Sequence, residues 1–278
     1  NSLHEKFQML KEGQLKWKRK SLDERIKIIS KYYDLLEQNK DKLAQILTSE
    51  VGKPLGESLG EISGARFRTK FFLENTNKWL KKEQVFDDGR TKDVLDFEPL
   101  GVVCNISAWN YPFLVGTNVF IPALLAGNAV LYKPSEFSTL TGLEIRRLLL
   151  EAGVPANVFE IGIGGKDVGE VLLNLEFDGY FFTGSYKTGK YIATKVALKL
   201  VPIGLELGGK DPIYVTDDVD VEKAAGMAVE GAFYNNGQSC CAVERVYVHE
   251  KIYDKFVDAF VKECKKLKVG DPTQKDTN

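Results

Sequence analysis

Two adjacent cysteines, Cys240 and Cys241, lie in a stretch that forms turns more readily than helix. Residues 235–237, Asn-Asn-Gly, tolerate positive φ and permit a sharp chain reversal, and residues 244–248 are typical of a buried strand. A thiol held at such a turn can face a cleft and act as a nucleophile. The alternative is that both cysteines are merely small buried side chains, which is common for this residue type.

Any general base that serves this thiol has to be a carboxylate. The two histidines are His4, near a polar terminus, and His249, at a predicted strand end, so neither is a good candidate for a Cys-His pair. Glu206 lies between Leu205 and Leu207. We expect these neighbours to desolvate its carboxylate partly and to raise its pKa, which suits proton abstraction from water. The alternative is a surface glutamate at a strand end.

A regular alternation of strands and helices is predicted from residue 100 onward. Apolar segments predict strands over residues 102–106, 129–132, 158–161, 179–182 and 202–205. The clearest helices between them cover residues 143–152 and 188–200. This pattern predicts an α/β fold with a parallel sheet covered on both faces, and ligands at the carboxyl ends of its strands.

The flanking regions follow different patterns. A capping box at Ser21 starts a helix that ends near Asn39, a second helix stops at residues 52–54, and a third covers residues 55–80. Residues 1–20 fit a first helix or a ragged terminus. After residue 209, strands are predicted over residues 212–215 and 244–248, and helices over residues 220–233 and 251–267.

Residues 86–97 contain a turn signal followed by weak alternation, as in an exposed strand or hairpin arm. Because open strand edges invite pairing, we expect an oligomerisation arm here, and the alternative is a plain surface loop.

Composition narrows the class of protein. The formal net charge of −1 comes from mixed acidic and basic residues, which argues against a nucleic-acid or anionic membrane partner. Four cysteines without a Cys-x-x-Cys spacing predict neither a disulfide framework nor a metal site, and favour the cytoplasm. No apolar run approaches the length of a membrane span. The chain starts without methionine and ends in polar residues, so we expect it to be part of a longer protein.

Five motifs in a fixed order give the chain a family resemblance. It resembles the NAD(P)-dependent aldehyde dehydrogenase superfamily from about Ser21 to about Pro272. The motifs are Trp109-Asn-Tyr-Pro112, Lys133-Pro-Ser-Glu136, Phe182-Thr-Gly-Ser185, Glu206-Leu-Gly-Gly-Lys210 and Gly237-Gln-Ser-Cys240. The resemblance implies an aldehyde-dehydrogenase-like fold, with a Rossmann-variant sheet, N-terminal helices and the first part of an α/β catalytic domain.

The resemblance also implies a chemistry, the oxidation of a small aldehyde to an acid. In that chemistry Cys240 is the nucleophile, chosen over Cys241 by the spacing Gly-Gln-x-Cys. The amide of Asn110 and the backbone N–H of Cys240 hold the oxyanion, and Glu206 activates the water that hydrolyses the thioester. On local grounds Asn110 could instead be a capping or turn residue before Tyr111 and Pro112, and only the order of the motifs favours the oxyanion role. Phe113, Val115 and Tyr234 are candidate residues for the substrate entrance.

A cofactor site follows from the same resemblance. Residues 162–169 match the dinucleotide fingerprint imperfectly, and in the family's variant Gly165 and Gly169 are its shifted glycines. Glu136 can accept from both ribose hydroxyls and would repel a 2′-phosphate, which favours NAD over NADP. Ser185 approaches the pyrophosphate near a helix start. The complete predicted set is Ile106, Ser107, Trp109, Lys133, Ser135, Glu136, Gly165, Gly169, Phe182, Thr183, Gly184, Ser185, Leu207 and Gly208.

The predicted domain organisation has four parts. They are N-terminal helices (residues 1–85), a bridging and oligomerisation segment (86–99), an NAD-binding Rossmann-variant domain (100–208) and the start of a catalytic domain (209–278). We expect a homodimer or homotetramer. The alternatives are a coenzyme-A-acylating dehydrogenase, against which the retention of Glu206 argues, and a nucleotide-binding relative without activity.

Overall fold

The computed structural model describes residues 2–278; Asn1, which the first predicted domain includes, lies outside the described residues. The chain begins with the helices α1 (Leu3–Trp17), α2 (Leu22–Gln38), α3 (Lys40–Val51) and α4 (Leu55–Trp79). The first segment is thus a helix and not a ragged end, because a capping box at Ser2 starts it and Phe7, Leu10 and Trp17 bury one face. The three other predicted helices are confirmed.

A hairpin follows these helices. Its strands β1 (Glu83–Asp87) and β2 (Lys92–Leu95) pair antiparallel, and every residue in them is exposed. The predicted hairpin arm is confirmed as a structural element, although it starts before residue 86. Its part in oligomerisation stays a prediction.

The centre of the molecule is a five-stranded parallel sheet in the order β5-β4-β3-β6-β7. Its strands and helices are β3 (Val102–Ile106), α5 (Pro112–Leu125), β4 (Ala129–Lys133), α6 (Thr139–Ala152), β5 (Phe159–Ile161), α7 (Lys166–Asn174), β6 (Gly179–Gly184), α8 (Tyr186–Ala197) and β7 (Ile203–Leu207). The chain builds outward from β3 to β5 and then returns to place β6 on the other side of β3. Such a reversal opens a crevice at the carboxyl ends of the strands.

The burial of the central strands agrees with their apolar sequences. β4 and β5 are completely buried and β3 is buried except at its last residue, as expected for a parallel sheet covered on both faces. An aromatic cluster of Tyr32, Phe120, Tyr132 and Phe159 joins α2 and α5 to the sheet. The predicted α/β class and its parallel sheet are therefore confirmed.

A separate pair of parallel strands follows β7. It consists of β8 (Asp211–Val215) and β9 (Val243–Val248), with α9 (Val221–Phe233) and α10 (Tyr253–Cys264) packed against it. This part has its own small core, centred on Val215, Ala225 and Phe256. The change of sheet coincides with the predicted boundary near residue 209, whereas the functional division into domains stays a prediction.

Across residues 2–278 no helix has both the length and the apolar character needed to cross a bilayer.

Candidate active site

Two adjoining clefts lie along the carboxyl edge of the five-stranded sheet. The first, about 710 Å³ and here called the crevice, extends over the ends of β3, β4 and β6. The second, about 900 Å³ and here called the thiol cleft, lies between α4, α5, the end of β7 and the segment after α9. Their shared wall consists of Ala108, Trp109, Thr183, Gly184 and Ser185. Every predicted cofactor residue lines one of the two clefts, and Cys240, Glu206 and Asn110 all line the thiol cleft.

The loop that carries Cys240 begins with a reversal of the chain. Asn235, Asn236 and Gly237 have φ of 55°, 56° and 72°, in the left-handed region that asparagine and glycine tolerate best. These residues end the helical path of α9 and turn the chain toward the thiol cleft. The prediction from residue type is confirmed.

Side-chain amides fix this loop to its surroundings. The fully buried Asn235 donates from Nδ2 to the carbonyl oxygen of Asn110 at 3.1 Å, and Asn236 donates to that of Gly52 at 3.1 Å. In return, Asn110 Nδ2 donates to the Gln238 carbonyl oxygen at 2.7 Å. The nucleophile loop and the Asn110 segment are therefore held together by reciprocal bonds.

Cys240 is exposed on this loop, as is Cys241. The pKa of the Cys240 thiol is raised, first by partial desolvation, then by the neighbouring Cys241 and by the Glu206 carboxylate. Because Glu206 contributes to this shift, the thiol and the carboxylate interact electrostatically within one cleft. The remaining cysteines do not line either cleft: Cys104 is buried in β3 and Cys264 ends α10.

Glu206 differs from the expectation in one respect. It lies within β7, paired with Thr183 of β6, and its side chain is exposed, so the expected desolvation by Leu205 and Leu207 is wrong. The reason is the alternation of side chains along a strand, which directs the neighbours of Glu206 to the opposite face. In addition, β7 is an edge strand of the sheet.

The side chain of Asn110 contacts the loop that carries Cys240. One of its two amide N–H groups is used by the Gln238 carbonyl oxygen, and its Oδ1 has no hydrogen-bond partner within the described residues. A side-chain amide nitrogen carries two N–H groups, so Nδ2 can donate to one further acceptor.

The far end of the crevice is charged. The buried Lys133 ends β4; its Nζ lies 3.7 Å from Glu136 Oε2 and donates to the Pro134 carbonyl oxygen at 3.2 Å. Burial lowers the pKa of Lys133, and Glu136 opposes this effect. The Glu136 side chain is 48% exposed, and a Cβ built at Gly165 would lie 3.7 Å from its Oε1. This is an ordinary van der Waals distance, so the packing around Gly165 does not itself require glycine.

The middle of the crevice faces the start of a helix. Ser185 is the N-cap of α8, and its hydroxyl accepts from the backbone N–H of Thr188 at 3.3 Å. A side chain at position 184 would force the Phe182 ring to shift, because a Cβ at Gly184 would approach that ring to 2.5 Å. The free N–H groups and the dipole of such a helix start favour an anionic ligand. No comparable constraint acts at Gly169, where an added Cβ meets nothing within 4 Å.

Part of the thiol cleft was missed by sequence reasoning. Gly60, Glu61, Gly64 and Arg68 of α4 line it, and none of them is among the predicted site residues. The sequence did contain a signal for this part of the cleft. Gly60 and Gly64 are four residues apart and therefore lie on the same face of a helix, where glycine is unfavourable and often has a packing or functional reason. Among the entrance candidates, Val115 and Tyr234 line the cleft, whereas Phe113 is fully buried in the core.

The fold and this site together define an α/β protein of the dinucleotide-binding class, with a thiol and a carboxylate beside its crevice. Comparison with known proteins narrows the class. Residues 3–278 match the model described as the aldehyde dehydrogenase family, and the chain belongs to that family.

Individual relatives support this assignment. The chain is 37% identical over 264 residues to the mitochondrial succinate-semialdehyde dehydrogenase of Arabidopsis thaliana, covering 92% of this chain and 49% of that protein. It is 36% identical over 269 residues to a betaine aldehyde dehydrogenase of Vibrio vulnificus, covering 94% and 54%. A crystal structure of Staphylococcus aureus betaine aldehyde dehydrogenase (a P449M mutant) in complex with NAD⁺ superposes with a TM-score of 0.94 at 31% identity, covering 98% and 56%. The chain thus spans about half the length of the curated relatives it matches.

Proposed function

We propose that this chain provides the cofactor site and the nucleophile of an NAD-dependent enzyme that oxidises an aldehyde to a carboxylic acid. One observation carries the proposal: Cys240, Glu206 and Asn110 line a single cleft, and that cleft shares a wall with the crevice. A nucleophile, a base and an oxyanion donor beside a dinucleotide site are the parts that this reaction needs.

The crevice fits a dinucleotide. The N-terminus of α8 at Ser185 offers backbone N–H groups to a pyrophosphate, and Lys133 and Glu136 lie where ribose hydroxyls would be bound. The exposed Glu136 carboxylate disfavours a 2′-phosphate, so we infer NAD over NADP. In the Staphylococcus aureus relative the corresponding complex contains NAD⁺. When bound, the oxidised nicotinamide supplies the acceptor for the hydride of the aldehyde carbon.

The residues of this chain act on the aldehyde carbon and on water. Cys240, as a thiolate, adds to the carbonyl, and the amide of Asn110 with the backbone N–H of Cys240 stabilises the oxyanion. Once the carbon is oxidised, the acyl group remains on sulfur as a thioester. Glu206 accepts a proton from water, and the water oxygen forms a bond to the carbonyl carbon of the thioester. The carbon–sulfur bond then breaks, which releases the acid and the thiolate.

The wider organisation belongs to the same proposal. The N-terminal helices and residues 100–208 would form the cofactor domain, and residues 209–278 the start of the catalytic domain. The hairpin of β1 and β2, predicted as residues 86–99 but beginning at Glu83, would be the oligomerisation arm of a homodimer or homotetramer. The cytoplasm is the proposed compartment. The substrate is a small aldehyde, the class named for both curated relatives described above.

The test is NADH formation, followed by absorbance, when the intact protein is mixed with NAD and a panel of aldehydes that includes succinate semialdehyde and betaine aldehyde. We expect turnover with at least one aldehyde, its loss in Cys240→Ser and its retention in Cys241→Ser. Turnover that requires coenzyme A would favour the acylating alternative. No NADH with any aldehyde, together with an unreactive thiol, would favour the relative without activity.

A further inference from the structure

A buried ion pair lies beneath the thiol cleft. Lys53 Nζ is 2.6 Å from Glu61 Oε2, and the two side chains are 1% and 0% exposed. Lys53 belongs to the turn between α3 and α4, and Glu61 to α4. The proposed reaction gives neither residue a role, so their burial needs a separate explanation.

Stability alone does not explain this pair. Removing two charges from water costs more than their attraction often returns, and apolar replacements of similar volume are frequently neutral or stabilising. The costs are visible here, because burial lowers the pKa of Lys53 and raises that of Glu61, while each partner opposes the other's shift. The pair is distinguished by its other hydrogen bonds, which are all to the backbone of Asn110 and of the helix that follows it.

Glu61 caps the helix that follows Asn110. Its Oε1 accepts from the backbone N–H groups of Phe113 at 2.8 Å and Leu114 at 3.3 Å. α5 has no cap of its own, since the Tyr111 side chain forms no capping bond. A carboxylate at this end satisfies free N–H groups and complements the helix dipole. Glu61 thus fixes the start of α5.

Lys53 holds the residue before that helix. Its Nζ donates to the carbonyl oxygen of Asn110 at 2.8 Å and lies 4.2 Å from the centroid of the Tyr111 ring. The same carbonyl oxygen accepts from Asn235 of the nucleophile loop, and Asn236 bonds to Gly52, next to Lys53. The turn, the Asn110 segment and the nucleophile loop therefore form a closed ring of contacts.

We propose that Lys53 and Glu61 are positioning residues for the oxyanion site. By fixing the backbone on both sides of Asn110, they direct its side-chain amide toward the carbonyl oxygen of a substrate bound to Cys240. This inference rests on the proposed function, because it assigns Asn110 the oxyanion role.

The experiment compares two reactions of Cys240 that need no cofactor. Acylation by p-nitrophenyl acetate passes through a tetrahedral oxyanion, whereas alkylation by iodoacetamide does not. A positioning residue for the oxyanion site affects the first reaction selectively, whereas a residue that only stabilises the fold or the loop affects both alike. The variants are Lys53→Met, Asn110→Ala and the two combined. Arg146→Met serves as matched control, since its bidentate pair with Glu160 has no contact with Asn110.

Lys53→Met is expected to slow acylation by about 10- to 100-fold, as a small misplacement of a catalytic group does, and to leave alkylation essentially unchanged. In the Asn110→Ala background it should have no further effect on acylation, because the group that it positions is gone. Arg146→Met should change neither rate. An equal loss in both reactions, or a loss that multiplies with that of Asn110→Ala, would overturn the proposal.

Two further results keep the test decisive. If Lys53→Met does not fold, Lys53→Met/Glu61→Gln replaces it, because this variant removes both charges and keeps an acceptor for Phe113. The double variant should melt near the wild type and still acylate slowly, and wild-type acylation in a stable double variant would contradict the inference. If the wild type is alkylated but never acylated at Cys240, the proposed function itself fails, which is a different outcome from a positioning failure.

Discussion

The crevice and the thiol cleft share a wall but are built in different ways. The crevice lies over consecutive βα units of one sheet, and strand ends, helix starts and glycines line it. The thiol cleft is assembled from α4, the start of α5, the edge strand β7 and the loop after α9, which are distant in sequence. Side-chain hydrogen bonds through Lys53, Glu61 and Asn235 hold these segments together.

The difference teaches that one region is specified by secondary structure and the other by individual side chains. The crevice is expected to lose its shape only when the fold is disrupted. Single substitutions in the thiol cleft, by contrast, are expected to reduce the reactivity of the site while the protein remains folded. Four predictions test this contrast, from the largest effect to the smallest.

The first prediction concerns the scaffold of the crevice. Phe120 is fully buried between α5 and the sheet and contacts Tyr32, Tyr132 and Phe159. We expect Phe120→Ala to lower the free energy of unfolding by about 3–5 kcal/mol, measured by urea denaturation, because it leaves a cavity. Phe67→Ala is the control, since Phe67 is 74% exposed. Equal losses for both variants would contradict the placement of the core.

The second prediction concerns the chemistry of the thiol cleft. Asn110→Ala is expected to reduce kcat for aldehyde oxidation by about 10²–10³-fold, because one oxyanion donor is lost. Its stability should fall by only about 1 kcal/mol, since one hydrogen bond to the Gln238 carbonyl oxygen disappears. The control is Asn75→Ala on α4, because Asn75 lines neither cleft. Full activity of Asn110→Ala would exclude the oxyanion role.

The third prediction is a pH dependence. The pKa of Cys240 is raised by desolvation, by Cys241 and by Glu206, so the neutral thiol predominates at neutral pH and the thiolate forms as the pH rises. Without cofactor, the rate of Cys240 alkylation by iodoacetamide should increase by about tenfold per pH unit up to a pKa above the usual value of about 8.5. Glu206→Gln should move the profile to lower pH. A plateau already at neutral pH would show that another group stabilises the thiolate.

The fourth prediction concerns cofactor choice in the crevice. Removing the charge of Glu136 in Glu136→Gln should improve NADP binding relative to NAD by about fivefold, the scale of one exposed charge contact of about 1 kcal/mol in water. The nearby Lys133 limits the effect because its Nζ already lies 3.7 Å from this carboxylate. Dissociation constants from calorimetry check the ratio, and an unchanged ratio would remove Glu136 from ribose recognition.

Much of the crevice was predictable from sequence because its determinants are local. Apolar segments predicted the five strands. The motifs and the glycine-rich turn after β5 then predicted cofactor residues that all line one of the two clefts. The reversal at residues 235–237 was equally local, because asparagine and glycine tolerate positive φ.

The determinants of the thiol cleft are not local. Nothing in the sequence around Lys53 indicates burial, because its side chain contacts Asn110 and Tyr111, which are distant in sequence. α5 is not among the helices predicted from the sequence. It contains Pro122 in its interior, where proline removes a backbone hydrogen bond and is usually unfavourable. The desolvation of Glu206 was wrongly inferred from sequence neighbours, which a strand places on the opposite face.

The central claim is that Cys240 and Glu206 act on the same acyl group in one cleft. The most direct measurement is intact-mass spectrometry with peptide mapping after p-nitrophenyl acetate is added to wild type and to Glu206→Gln. We predict an acetyl adduct on Cys240 that persists in Glu206→Gln and is rapidly hydrolysed in wild type. An adduct on Cys241, or equal persistence in both proteins, would contradict the account.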